Sequence, residues 1–152
     1  MRTTKENLEN RLGGIFEKNI DAWKGYQNAA KNAEDHNLKL FFERKSRERH
    51  MFNQDLKREI TVNYGEIEED GSATGTIHRA WMDIKSFFTG NNDEAMLEEC
   101  IRGDKAAQEE YEDILEDQDL PLSIAALIRD QKVKIQNDLY KIKTMEDLKE
   151  VS

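Results

Sequence analysis

Hydrophobic residues recur at spacings of three and four along most of the chain, which is the period of an amphipathic helix. The pattern predicts four long helices at about residues 5–34, 38–64, 93–116 and 121–144. A single proline and abundant Glu, Lys, Leu, Ala and Gln favour the same structure. We therefore predict one all-α domain over residues 1–152.

The lengths of the connections predict how these helices are arranged. Short turns join the first helix to the second and the third to the fourth, so each pair is expected to form an antiparallel hairpin. Residues 65–92 form a long crossover, which is acidic and contains glycine and is predicted to carry a short helix at about 75–88. Two hairpins and one long crossover are the plan of a ferritin-like four-helix bundle.

The ends of two helices carry specific signals. Asn92 or Asp93 is expected to cap the third helix, because both side chains accept hydrogen bonds from free backbone N–H groups. Pro121 is expected to start the fourth helix, where proline is tolerated. Beyond about Thr144 we expect the chain to fray or to form a last turn.

Charge and cysteine content restrict the partners and the compartment. The chain has 23 Lys and Arg against 32 Asp and Glu, a net charge of −9, which disfavours nucleic-acid binding. The basic stretch 44–50 is interpreted as a charged helix face. No segment has the pattern of a signal peptide or a membrane span, and Cys100 has no partner for an intramolecular disulfide. We expect a cytoplasmic protein without nucleic-acid or membrane partners.

Polar residues on the apolar stripes are the candidates for a site, because functional groups in such bundles point into the core. Lys45 falls within the apolar stripe of the second helix, Glu48 flanks the same stripe, and Asp138 lies at the margin of the stripe of the fourth helix. At 100° per residue, Asn19, Asp104 and Gln131 lie at or near the stripe centres, Tyr26 lies two turns after Asn19 on the same line, and Arg49 falls within the stripe of the second helix.

Arg49 and Asp104 are predicted to form a buried salt bridge. A guanidinium stays charged and presents five N–H donors, so it can neutralise an inward carboxylate as a metal ion would. Asn19, Tyr26 and Gln131 are expected to complete the hydrogen bonds. Such a network fixes the register between helices more than it adds stability.

Four stretches of the chain resemble a known group of proteins: Lys24-Gly25-Tyr26, Glu48 to Phe52, Gly71 to Trp81 and Glu98 to Asp104. They resemble the ferritin-like superfamily, rubrerythrin relatives included. Within it they resemble a bacterial family classed as a domain of unknown function. The likeness covers about Leu8 to Ile142. It implies a ferritin-like fold, a stress-related setting, and a di-iron centre built from glutamates and two Glu-x-x-His pairs.

The chain departs from that di-iron pattern, since it contains no Glu-x-x-His. Met51 and Val133 stand where the two histidines would be, and Asn19 replaces a carboxylate. We therefore expect no cofactor and a non-catalytic protein that acts by association. The alternative is a degenerate metal-binding protein or oxidoreductase that holds iron or manganese with Glu48, His50 and Asp104.

The predicted crossover helix carries a large apolar load for its length. Aromatic residues are enriched at the centres of protein interfaces. This helix therefore either caps the bundle or forms an interface with a protein partner or a second copy of the chain, and the candidate interface residues are Ile77, Trp81, Ile84, Phe87 and Phe88.

Overall fold

The computed structural model describes residues 4–64 and 92–151, with side chains for 8–64 and 92–144. Within these residues the prediction of an all-α chain with four helices is confirmed, and they contain no β-strand. The predicted short helix at 75–88 lies outside the described residues. The helices are α1 (Thr4–Asn32), α2 (His36–Tyr64), α3 (Asp93–Leu115) and α4 (Leu122–Val151).

Side-chain caps set the starts of α2 and α3. The Asp35 carboxylate accepts a hydrogen bond from the Asn37 backbone N–H at 3.1 Å, so α2 begins two residues before its predicted start. The Asn92 side chain accepts from the Ala95 backbone N–H at 2.8 Å. Asn92 is therefore the cap of the third helix, as one of the two predicted candidates.

α4 continues to Val151, about two turns beyond the predicted end near Thr144. The last seven residues of α4 contain neither glycine nor proline. Most of them are types with a good helix propensity, such as Leu, Met, Glu and Lys. Nothing in the local sequence therefore stops the helix at the predicted point.

Each helix packs against two others. The main contacts join α1 to α2 and α3 to α4, and smaller contacts join α1 to α3 and α2 to α4. Between α1 and α2, Ser46 Oγ donates to the Trp23 carbonyl at 3.0 Å, and Asn53 Nδ2 donates to the Phe16 carbonyl at 2.9 Å. Side chains of α2 thus satisfy backbone carbonyls of α1 at two levels of the bundle.

The start of α3 is bound to the turn between α1 and α2. The Asp93 carboxylate accepts hydrogen bonds from the backbone N–H groups of Glu34 and Asp35, each at 2.9 Å. Because an ionised acceptor strengthens a hydrogen bond, this contact fixes one end of α3 against the first two helices.

The core consists of two apolar clusters. One contains Leu8, Leu12, Ile15, Phe52, Leu56, Ile60, Tyr111, Ile114, Leu120, Ile124, Ala125, Ile128 and Ile135. The other contains Tyr26, Ala29, Ala30, Leu38, Phe41, Phe42, Met96, Leu97, Cys100, Ile101, Leu139 and Ile142. Along every helix, buried polar residues fall where the sequence passes from one cluster to the other. They are Asn19, Lys45, Arg49, Asp104 and Asp138, and together with Gln131, which lies among residues of the first cluster, they are here called the polar layer.

The described helices are amphipathic, with apolar side chains on the buried face and most charged side chains on the other. A helix that crosses a bilayer needs about 20 consecutive apolar residues. None of the helices in the described part of the chain has such a stretch.

Candidate functional site

Asp104 on α3 is the centre of the polar layer, and its side chain is 1% exposed. Its Oδ1 accepts hydrogen bonds from the Tyr26 hydroxyl at 2.7 Å and from Arg49 Nη2 at 2.8 Å. Its Oδ2 accepts from Lys45 Nζ at 2.7 Å. One carboxylate therefore binds a tyrosine of α1 and two cations of α2, and the predicted buried salt bridge is present.

Arg49 extends the network from Asp104 to the remaining helices. Its Nη1 donates to Asn19 Oδ1 at 2.7 Å, and Asn19 Nδ2 donates to the Tyr111 hydroxyl at 2.8 Å. Tyr111 in turn donates to Gln131 Oε1 at 2.7 Å, and Gln131 Nε2 donates to the Phe52 carbonyl at 3.1 Å. A continuous path of hydrogen bonds therefore connects all four helices.

Lys45 connects Asp104 to a second group of charges between α2 and α4. Its Nζ lies 3.5 Å from Asp138 Oδ2. Asp138 Oδ1 also accepts from Arg44 Nη2 at 2.7 Å, and Arg44 Nη1 lies 3.1 Å from Glu48 Oε2. Arg44 is 40% exposed, whereas the Lys45 and Asp138 side chains are buried. This side of the polar layer therefore reaches the surface through Arg44.

The buried groups around Asp104 keep the protonation states that their hydrogen bonds require. Burial and the neighbouring Asp104 carboxylate raise the pKa of Tyr26 well above its ordinary value. Burial alone lowers the pKa of Arg49, but the Asp104 carboxylate outweighs it and the net pKa is raised. Near neutral pH the Tyr26 hydroxyl is therefore a neutral donor, and the Arg49 guanidinium is charged.

The pKa values of Glu48 and Asp138 shift in opposite directions. Burial, together with the nearby Asp138 carboxylate, raises the pKa of Glu48 to about 7. Burial also tends to raise the pKa of Asp138, but a hydrogen bond from Glu48 and the charges of Lys45 and Arg44 lower it overall. Below about pH 7 the pair therefore shares a proton that resides on Glu48.

The structure places the five predicted network residues in one connected set, and it adds residues that the sequence interpretation left out. Lys45 was placed on the stripe but not in the network, although it lies four residues before Arg49 and thus on the same helix face. Tyr111 lies seven residues after Asp104, which also puts it on the same face. Asp138 was placed only at the stripe margin, yet it is 3% exposed.

The three alternative metal ligands are not brought together. Asp104 binds Lys45 and Arg49, and Glu48 lies with Arg44. The His50 ring packs on Trp23, with the ring centroids 4.3 Å apart. Among the described residues, no group of three or more His, Cys, Asp or Glu side chains could hold a metal ion.

Met51 and Val133, the positions where the predicted ferritin-like resemblance would require histidines, point away from the core. Met51 is 58% exposed and Val133 is 53% exposed. The inward positions of α2 at this level are Lys45 and Arg49 instead. A histidine placed at either motif position would therefore not face Asp104.

His36 and Cys100 also lie outside the polar layer. His36 is exposed in the first turn of α2, and Cys100 is 1% exposed within an apolar cluster. Burial raises the pKa of Cys100 well above its ordinary value, so the thiol is neutral. The predicted interface residues Ile77, Trp81, Ile84, Phe87 and Phe88, together with His78, lie outside the described residues.

Tyr111→Phe is expected to lower the free energy of unfolding by about 1–2 kcal/mol. The change removes the hydroxyl that joins Asn19 to Gln131 and leaves both buried amides short of one partner. Urea-induced unfolding followed by circular dichroism measures the difference. Tyr140→Phe is the matched control, because Tyr140 is 77% exposed. Equal effects of the two substitutions would show that the Tyr111 hydroxyl does not hold the network.

The chain can be compared with known protein families. A family profile described as Domain of unknown function (DUF2383) matches residues 7–117, which is more than half of the chain. The chain belongs to this family. Comparison with curated proteins and with solved structures found no match.

The DUF2383 match covers only part of the network. It includes α2 and α3, and it therefore contains Lys45, Arg49 and Asp104. Gln131 and Asp138 on α4 lie beyond the matched residues. The central salt bridges thus belong to the region that defines the family membership, whereas the α4 contacts lie outside it.

Proposed function

We propose that the chain is a ferritin-like bundle in which buried cations replace the metal centre, and that it acts in the cytoplasm by association with another protein or a second copy. The observation that carries the proposal is the binding of Asp104 by both Lys45 and Arg49 in the middle of the core. The ferritin-like resemblance and the stress-related setting that it implies belong to this proposal.

The donor set does not fit a di-iron centre. Such a centre needs several inward carboxylates and two histidines from facing helices. Here both oxygens of Asp104 are bound by cations and by the Tyr26 hydroxyl. A divalent ion beside Lys45 and Arg49 would meet two positive charges in a medium of low dielectric constant, where repulsion is strong. The network therefore takes the place that a metal would need.

The finer arrangement of the fold is also part of the proposal. We infer two antiparallel hairpins, α1 with α2 and α3 with α4, joined by a crossover that carries a short helix. The short turns within each pair and the dominance of the α1–α2 and α3–α4 contacts support the hairpins. The apolar residues of the segment 75–88, Trp81 among them, support an interface there.

One experiment tests both parts of this function. The intact protein is purified without chelator or affinity metal, loaded briefly in air with iron or manganese, and analysed for bound metal and molecular mass. We expect no stoichiometric metal and a mass that corresponds to a dimer. A ferritin-like protein with an intact di-iron motif, treated in parallel, is the positive control for loading.

Two results would overturn the proposal. One or two metal ions per chain would favour the alternative function, a degenerate metal binder or oxidoreductase. A monomer that captures no partner would remove association as the mode of action. Loading of Asp104→Asn alongside the wild-type chain shows whether any metal that binds depends on the core carboxylate.

A further inference from the structure

A cleft of about 260 Å³ lies between α1 and α3, beside the polar layer. Its walls are mainly apolar and include Ile15, Ala22, Gly103 and Ala107, whereas Arg49 and Asp104 line its inner end. For comparison, an apolar cavity of about 150 Å³ holds benzene. The cleft is therefore large enough for a six-membered ring with a short polar arm.

Buried polar atoms of Arg49 and Glu99 on the cleft lining have no hydrogen-bond partner among the described residues. Arg49 is 2% exposed, and its Nε–H has no acceptor although both terminal nitrogens are bound. The Oε2 atom of Glu99 is also buried without a donor. A buried polar atom without a partner is costly. A ligand that accepts from Arg49 and donates to Glu99 would satisfy both atoms.

The charges around the cleft favour a neutral ligand. Arg49 and Asp104, which line the inner end, pair with each other, and behind the lining the buried Lys45 and Asp138 complete a set of two cations and two anions. Transfer of a further charge into such a site is expensive unless it is paired. A cationic ligand would also face Arg49 directly.

The rim of the cleft disfavours an anionic ligand. Among the described lining residues outside the inner end, Asp21, Glu99 and Glu110 are carboxylates, and Lys18, which pairs with Glu110, is the cation. An anion would therefore have to pass more acidic than basic side chains. The unpartnered Arg49 Nε–H calls instead for a neutral hydrogen-bond acceptor, and a hydroxyl oxygen is a small group of that kind.

We propose that this cleft binds a small neutral alcohol or phenol, with the apolar body between α1 and α3 and the hydroxyl at the Arg49 end. The site goes beyond the proposed function, because binding there requires neither a metal nor association of the chain. Its residues lie on two helices of the bundle and on the central network, so an occupant would touch α1, α2 and α3 together.

Four probes with the same ring test the class of ligand: benzyl alcohol, toluene, benzoate and benzylamine. Each is titrated into the intact protein near neutral pH by isothermal titration calorimetry. We expect benzyl alcohol to bind at one site and at least about tenfold more tightly than toluene, because one hydrogen bond to a charged group is worth about that factor. Benzoate and protonated benzylamine should bind at least about tenfold more weakly than benzyl alcohol.

Two variants test the location. Ala22→Leu adds three carbon atoms inside the cleft and should lower the affinity for benzyl alcohol at least about tenfold, since overpacking leaves no room for the ring. Ala126→Leu makes the same change on the exposed face of α4 and should leave the affinity unchanged. Arg49→Lys keeps the charge but removes the Nε–H, so benzyl alcohol should lose its advantage over toluene. If Arg49→Lys does not fold, the Ala22 and Ala126 pair decides the location.

Three outcomes would overturn the proposal. Benzyl alcohol fails to saturate a site on the wild-type protein, or it binds Ala22→Leu as tightly as the wild type. The third is that benzoate or benzylamine binds at least as tightly as benzyl alcohol. Circular dichroism and the melting temperature of each variant show that a loss of binding does not come from unfolding.

Discussion

Asp104→Leu is expected to lower the free energy of unfolding by about 3–5 kcal/mol, the cost of removing one partner from a buried ion pair. The substitution leaves Lys45 and Arg49 buried without the carboxylate that both of them bind. It also removes the acceptor of the Tyr26 hydroxyl. Urea-induced unfolding followed by far-ultraviolet circular dichroism gives the difference between variant and wild type.

Replacement of one cation should lower the free energy of unfolding by less than replacement of the carboxylate. After Lys45→Met, Asp104 keeps Arg49 and Tyr26, so we expect a loss of about 1–3 kcal/mol.

Asp113→Leu is the matched control for Asp104→Leu, because Asp113 lies on the same helix and is exposed. We expect it to change the free energy of unfolding by no more than about 0.5 kcal/mol. A loss after Asp104→Leu no larger than that of the control would show that the polar layer contributes nothing to stability.

The position of the polar layer explains what it does for the fold. The two clusters on either side of it are apolar, and apolar surfaces alone tolerate a shift of one helix along another. A shift of one turn is 5.4 Å, which would break the 2.7 Å contact between Lys45 and Asp104. The layer therefore specifies the register of α2 against α3 even if its net contribution to stability is small.

The sequence predicts well those features that depend on one helix at a time. Spacing along each helix locates its buried face, and this is why Asn19, Arg49 and Asp104 could be placed in the core. Capping residues such as Asn92 locate helix starts, since they act on backbone groups within one turn. These features need no knowledge of the neighbouring helices.

Apart from the Arg49–Asp104 salt bridge, most contacts between helices could not be predicted, because spacing does not fix how helices are rotated and shifted against each other. Lys45 and Asp138 meet only because α2 and α4 pack at that level. The same reason explains the outward positions of Met51 and Val133. A resemblance in sequence to the di-iron pattern does not show how α2 and α4 are rotated about their own axes. The cleft beside Arg49 likewise depends on the gap between α1 and α3.

Glu48→Gln is expected to stabilise the protein at about pH 8 by about 1–3 kcal/mol and to change little at about pH 5. Glu48 has a pKa of about 7 in the folded protein, against an ordinary value of 4.5. Between these values the folded state binds more protons than the unfolded state, so stability falls as the pH rises from 4.5 to about 7. Glutamine resembles the protonated acid and avoids this loss.

Unfolding in urea at several pH values tests this dependence. The wild type should lose stability across the window from 4.5 to about 7, whereas Glu48→Gln should show a flatter profile there. Glu98→Gln, at an exposed site, should follow the wild-type profile. Asp138 affects stability in a separate pH window. Its lowered pKa stabilises the fold at pH values above 3.8, its ordinary pKa, and this stabilisation is lost only as the pH falls below 3.8. Parallel profiles for Glu48→Gln and the wild type would therefore show that Glu48 does not hold the proton shared with Asp138.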